Sequence, residues 1–178
     1  MIVYAATRRD AAAPPDMANA GNAAAEGAGP SIPAPDISNM TPREQFDRLY
    51  DRVMTSAQGS DTAAVIRFWP MASGAYAQLP ADARDNDARF HMADLHLLIG
   101  QFPPAVALAD TILAGSSNNL LAHYVKALAA EFQGDSVGAR AAQSAFLGSF
   151  AREIDKPAPE YAHHRAMLDQ YRQTIVRQ

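Results

Sequence analysis

The stretch that decides the fold is GQFPPAVALADTILAGSSNN, Gly100 to Asn119. Its glycine is followed two residues later by an aromatic, Phe102, then by Ala105 and an apolar run ending in small polar residues. Thirty-four residues on, the chain reads GDSVGARAAQSAFLGSF, with Gly134 answering Gly100 and Ala139 answering Ala105. Upstream, Phe90 pairs with Tyr124, Ala93 with Ala127 and Leu98 with Phe132 at the same interval. A fixed interval of this size marks a recurring supersecondary unit.

Working outward, the 3.6-residue apolar period predicts helices at about 86–99, 103–115, 119–132 and 135–149. Pro103 and Pro104 fall where a helix begins and missing N–H groups cost little. The turn glycines are expected to end each first helix in a left-handed cap. Farther upstream, Thr41-Pro42-Arg43-Glu44 combines an N-cap, a proline at the first helical position and a capping-box glutamate. Phe46, Leu49, Tyr50, Val53 and Ala57 then mark one helical face, which Gly59 closes. Asp61 or Thr62 caps a further helix, which Pro70 is expected to break or kink after Phe68-Trp69. PADARDND at 80–87 is a polar connection, and KPAP at 156–159 precedes a last helix carrying Tyr161, Leu168 and Ile175 seven apart, with Met167 and Tyr171 alongside. No strand-like alternation occurs, so the predicted class is all-α.

A helix–turn–helix unit recurring every 34 residues resembles the tetratricopeptide-repeat family. The matching residues are the small positions Ala93/Ala127 and Ala105/Ala139, the turn glycines Gly100/Gly134, and Phe102. Small residues let paired helices approach closely, and each unit buries its apolar face by stacking on neighbours. Two units are too few, so a third is expected around Gly59 and Ala64, 41 residues before Gly100, one repeat plus a seven-residue insertion. The family's large first-helix aromatic falls on Arg89 and His123, with Phe90 and Tyr124 one place along; Lys126 and Ser136 also depart from the pattern. The resemblance spans residues 44–150 and implies about three TPR-like helical-hairpin repeats. The expected organisation is an extended Ala/Pro/Gly-rich arm at 1–40, the repeats at 41–150 and a C-terminal capping helix at 151–178.

Bulk properties narrow the function classes. A formal charge of −4 with scattered arginines offers no polyanion-binding stripe. The absence of cysteine excludes disulfides, thiolate metal sites, cysteine nucleophiles and covalently attached haem. Met1–Ala6 is too short for a secretory h-region, and its arginines follow the apolar piece where a signal peptide has them in front. Taken literally the start carries no targeting segment; the alternative is the end of a longer hydrophobic anchor.

In the repeat family the inner face of the first helices lines a groove for a peptide or helix. Carried over by position, that face comprises Phe90, Asp94, Leu97 and Leu98, with Asp87 ahead of them, then Leu121, Tyr124, Leu128, Glu131 and Phe132. The Lys, Arg and Asn with which chaperone-binding members grip a C-terminal carboxylate are absent, so the apolar face implies a hydrophobic helix or an Ala/Pro-rich segment. The alternative is that these residues are core, closed over by the last helix. In the arm, Ile2, Val3, Tyr4, Ile32, Pro33 and Pro35 are the candidate contacts, and Ile32–Pro35 could itself lie on Leu128 and Phe132.

Catalytic and ligand motifs are weak. His91, Asp94 and His96 point in directions about 0°, 300° and 140° around a helix and do not converge on one ion. Glu160 and His163 are half of a di-iron pattern that requires a second copy. Trp69 beside Pro70 reads as a packing anchor. No phosphate-cradling loop, nucleophile elbow or cofactor fingerprint is present. No enzyme activity, cofactor, metal, small-molecule substrate or nucleic acid is therefore expected. The expected function is a non-catalytic scaffold that bridges protein subunits of a large membrane-associated assembly, bound peripherally through its partners. The Ala/Arg-rich, Lys-poor style, the arm and the helical block are together similar to the membrane-extrinsic accessory polypeptides of bacterial photosynthetic reaction-centre–antenna supercomplexes, which implies a clamp between reaction centre and antenna ring. The alternative is a membrane-tethered adaptor in envelope protein assembly or cytochrome maturation; an upstream anchor or signal would favour the periplasmic face.

Overall fold

The computed structural model describes residues 39–177. The arm candidates Ile2, Val3, Tyr4, Ile32, Pro33 and Pro35 lie outside the described residues. Seven α-helices and one 3-10 turn make up the described chain: α1 (Pro42–Gln58), α2 (Thr62–Gln78), the 3-10 turn Ala81–Ala83, α3 (Asn86–Leu98), α4 (Phe102–Gly115), α5 (Leu120–Gln133), α6 (Ser136–Glu153) and α7 (Pro159–Val176). The all-α class and the helical-hairpin repeat hold: α1/α2, α3/α4 and α5/α6 pack as pairs, and the first helices α1, α3 and α5 lie side by side.

The three hairpin turns are built alike. The N–H of Asp61, Gln101 and Asp135 donates back to the carbonyl of Ser56, His96 and Ala130 at 2.9, 2.8 and 2.9 Å, and the preceding residue donates to Ala57, Leu97 and Glu131 at 3.0, 3.1 and 3.0 Å. This is the Schellman pattern, which needs a left-handed residue after the helix. Gly100 and Gly134 supply it, with φ of 77° and 74°. In the first hairpin the sequence pointed to Gly59, but Gly59 has φ −79° and Ser60 takes the positive φ of 59°. The turn chemistry is therefore one residue later than the glycine.

Caps follow the sequence. Thr41 and Glu44 form the capping box of α1, and Asp61, Asp85, Asn119 and Asp135 accept N–H groups at the starts of α2, α3, α5 and α6. Pro70 does not break α2, which runs through it to Gln78. The carbonyl that loses its donor is that of Ile66, one turn back. Ile66 is 68% exposed and Pro70 is exposed too, so water can satisfy that carbonyl.

Two apolar clusters form the interior. One joins Phe46, Leu49 and Val53 of α1 to Phe68 and Ala72 of α2 and Ala88, Met92 and Leu95 of α3. The other joins Phe90, Ala93 and Leu97 of α3 to α4, α5, α6 and the Tyr161, Leu168 and Tyr171 face of α7. Helix α3 thus feeds both clusters and is buried nearly all round, its polar residues Asp87, His91 and Asp94 included.

Candidate functional site

The predicted groove face is largely covered. Phe90, Leu97, Leu121 and Tyr124 are buried, and α7 lies against them: Tyr171 meets Tyr124 edge-on at 4.9 Å and Phe146 at 5.1 Å, and His164 meets Phe90 at 4.7 Å. The Tyr161 hydroxyl accepts the Leu120 N–H at 3.2 Å and donates to Glu153 at 3.3 Å. Burial, opposed by the Leu120 hydrogen bond and reinforced by the Glu153 carboxylate, pushes its phenol above the ordinary value. The rim stays more open. Leu98, Leu128 and Phe132 are half-buried and Glu131 is exposed; Phe132 stacks on Phe102 at 5.8 Å, and Glu131 accepts from Gln143 at 2.7 Å.

Between α1 and α3 a polar ladder runs beside the apolar residues the two helices share. Arg43, Asp47 and Tyr50 occupy positions i, i+4 and i+7 of α1, and Asp87, His91 and Asp94 occupy the same spacing on α3, so each set lines one helical face. The two faces meet as a ladder. The Arg43 guanidinium donates to Asp87 Oδ2 at 2.8 Å, His91 Nδ1 lies 3.3 Å from Asp47 Oδ1, and the Tyr50 hydroxyl donates to Asp94 Oδ2 at 3.0 Å. Arg43 also binds Asp47 at 2.9 Å and Asp85 at 2.7 Å. The Tyr50 ring stacks on His91 with centroids 3.9 Å apart and planes 10° from parallel.

Helix α7 adds His164 to the middle rung. Its Nε2 lies 3.1 Å from Asp87 Oδ1 and 3.2 Å from His91 Nε2, while His91 Nε2 is 3.7 Å from Asp87 Oδ1. All three side chains are mostly buried. Burial alone would raise the Asp87 carboxyl, but the hydrogen bond from His164 and the charges of His91, His164 and Arg43 outweigh it and hold the group below its ordinary value. Asp87, His91 and His164 are the described residues whose ligand atoms lie close enough together to hold a metal ion.

The three polar residues of HMADLH do diverge. His91 faces His164 and Asp47, Asp94 faces Tyr50, and His96 turns to Gln101 at 2.8 Å and to the edge of Trp69 at 5.1 Å. His163 is exposed beside a half-buried Glu160. Reading within one helix misses His164, which is 73 residues from His91. The available signal is its place in the last helix, at i+3 from Tyr161 and i−4 from Leu168, on the apolar stripe itself. A separate cleft of about 440 Å³ is lined by Val106, Leu113, His123, Lys126 and Gly138 among others; its lysine is engaged by Asp110 at 2.6 Å, and no comparable set of groups converges there.

No family model matches this chain, and no significant match is found among curated proteins or solved structures.

Proposed function

We propose that this chain is a non-catalytic interaction subunit, a helical-hairpin scaffold that holds neighbouring protein subunits together in a large membrane-associated assembly. The observation that carries this reading is the inner face of α3 and α5. Part of it already packs against a helix of the same chain, α7, through Phe90 and Tyr124. A surface of this kind, flanked by the half-buried Leu98, Leu128 and Phe132, suits helix-in-groove recognition. The resemblance to tetratricopeptide repeats supports the same class of function. Among the described residues no helix is long and apolar enough to cross a membrane. In this reading the membrane is reached through partners.

The Ala/Pro/Gly-rich residues 1–40 supply a second contact joined to the block by a tether, which raises effective concentration. In its finest form the assembly is a photosynthetic reaction centre held to its antenna ring, a reading supported by the Lys-poor sequence style and the arm. The test is co-purification from native membranes with full-length tagged protein and with a form lacking residues 1–40. Recovery of a defined multi-subunit complex with the full chain alone is expected. Both forms eluting alone and monomeric would remove the bridging function.

A further inference from the structure

The atoms Asp87 Oδ1, His91 Nε2 and His164 Nε2 face one another at 3.1, 3.2 and 3.7 Å. Ligands bound to one zinc ion at about 2.0–2.2 Å in tetrahedral geometry stand about 3.3–3.6 Å from each other. We propose that Asp87, His91 and His164 form a site for a divalent transition-metal cation of the zinc type, tying α7 to α3. One tetrahedral position remains for water or a further ligand.

The surroundings fit the donor set. His91 passes its other nitrogen to the Asp47 carboxylate at 3.3 Å, the outer-shell arrangement that fixes a metal-binding imidazole in the right tautomer. Arg43 occupies Asp87 Oδ2 at 2.8 Å, leaving Oδ1 as a single ligand atom. The rings are held in place by other contacts, His91 by the stacked Tyr50 and His164 by the edge of Phe90. Asp47, Asp85 and Asp87 around the one guanidinium of Arg43 give a net charge of −2 when both imidazoles are neutral, which a dication balances. Side-chain exposures of 10%, 12% and 13% for His91, Asp87 and His164 exclude most water yet leave an approach from the surface.

Without a cation the arrangement is poorly served with protons. The two Nε2 atoms compete for one N–H, and Asp87 Oδ1 must draw on the same hydrogen. Two imidazoles and one carboxylate select Zn²⁺ and Co²⁺ over Mg²⁺ and Ca²⁺, which prefer all-oxygen shells.

The experiment uses tag-free full-length protein, first treated with chelator and then titrated with ZnCl₂ by calorimetry and with CoCl₂ by visible absorption. One equivalent of Zn²⁺ should bind, Co²⁺ should give the intense d–d bands of a tetrahedral site, and MgCl₂ should give no signal. A hundredfold excess of Zn²⁺ over its Kd should raise Tm by about 5–10 °C. His164→Gln should weaken Zn²⁺ binding by at least about a hundredfold, whereas His163→Gln, its exposed neighbour, should leave it unchanged. Should His164→Gln lose its helical circular dichroism, Asp47→Asn replaces it, with an expected loss of about 10–100-fold. Absence of one-equivalent binding at micromolar protein would overturn the site and leave a proton-sharing histidine pair. Binding that survives His164→Gln, or Asp47→Asn where it takes its place, would assign the metal to surface histidines and overturn the site equally.

Discussion

The layer of first helices has two seams, and they are made of different materials. Between α3 and α5 the contact is apolar: Phe90, Ala93 and Leu97 share one cluster with Leu121, Tyr124 and Val125. Between α1 and α3 the apolar residues of the other cluster are accompanied by the ladder Arg43–Asp87, Asp47–His91 and Tyr50–Asp94, each rung joining residues 44 apart. The contrast extends to the repeat positions themselves. Thirty-four residues after Asp87, His91 and Asp94 stand Leu121, Val125 and Leu128. One structural unit therefore carries polar residues where the next carries aliphatic ones. An apolar seam supplies stability in proportion to the area it removes from water. A buried polar seam gains little net stability over an apolar one but is costly to leave half-satisfied, and so fixes register.

The largest expected effect lies in the apolar seam. Phe90 is fully buried between α5 and α7, and Phe90→Ala should cost about 3–5 kcal/mol through lost transfer energy and a residual cavity. Urea unfolding measures it, and a cost below about 1 kcal/mol would show that α7 re-closes the gap. The polar seam should respond less. Arg43→Ala leaves Asp87 buried without its guanidinium; because Arg43 is 23% exposed, water restores part of the loss, and about 1–3 kcal/mol is expected. An effect as large as that of Phe90→Ala would mean that the ladder, and not apolar burial, holds α1 in place.

The repeat was legible in residues 86–150 because there both halves of the signal survive, small residues at the helix contacts and glycine at the turn. Gly100 and Gly134 adopt the left-handed conformation that their place after a helix requires. In the first hairpin the backbone repeats but the residues do not: Ser60 holds the strained position and Gly59 is an ordinary helix end. Pro70 misleads in the same way, since its effect depends on whether the Ile66 carbonyl faces water, which no local pattern states. The sequence left two readings of the groove face open, a partner groove or core closed over by the last helix, and α7 packs on Phe90 and Tyr124 of it. The ladder left a trace in two polar i, i+4, i+7 stripes, yet HMADLH draws the eye along the chain, while the partners of His91 lie on two other helices. Spacing within a helix is local information, and the register between helices is tertiary.

Ser60 offers a smaller test of the same contrast. With φ 59°, it bears the left-handed cost that glycine avoids, and Ser60→Gly should stabilise the protein by up to about 1 kcal/mol. Gly134→Ala should do the reverse by about 1–2 kcal/mol, through backbone conformation alone, because a Cβ there meets nothing within 4 Å. Thermal unfolding of the two variants side by side checks both signs.

The smallest effect is the acid dependence of the polar seam. The Asp87 carboxyl is held below its ordinary value of 3.8, so the unfolded chain binds a proton there at a higher pH than the folded chain does. Its contribution is therefore complete above about pH 4 and is lost as pH falls through the folded value. His96 and His123 add a second acid-sensitive element: burial lowers both from 6.5, so stability declines as pH falls below that value. These histidines are present in wild type and in Asp87→Asn alike, and their effect cancels in the difference between the two. With chelator present, that difference should be constant from pH 7 to about pH 5 and close at lower pH. A gap that instead changes between pH 7 and 5 would show that a group other than the Asp87 carboxylate carries the stabilisation, and the acid loss of the ladder would not be that carboxylate's.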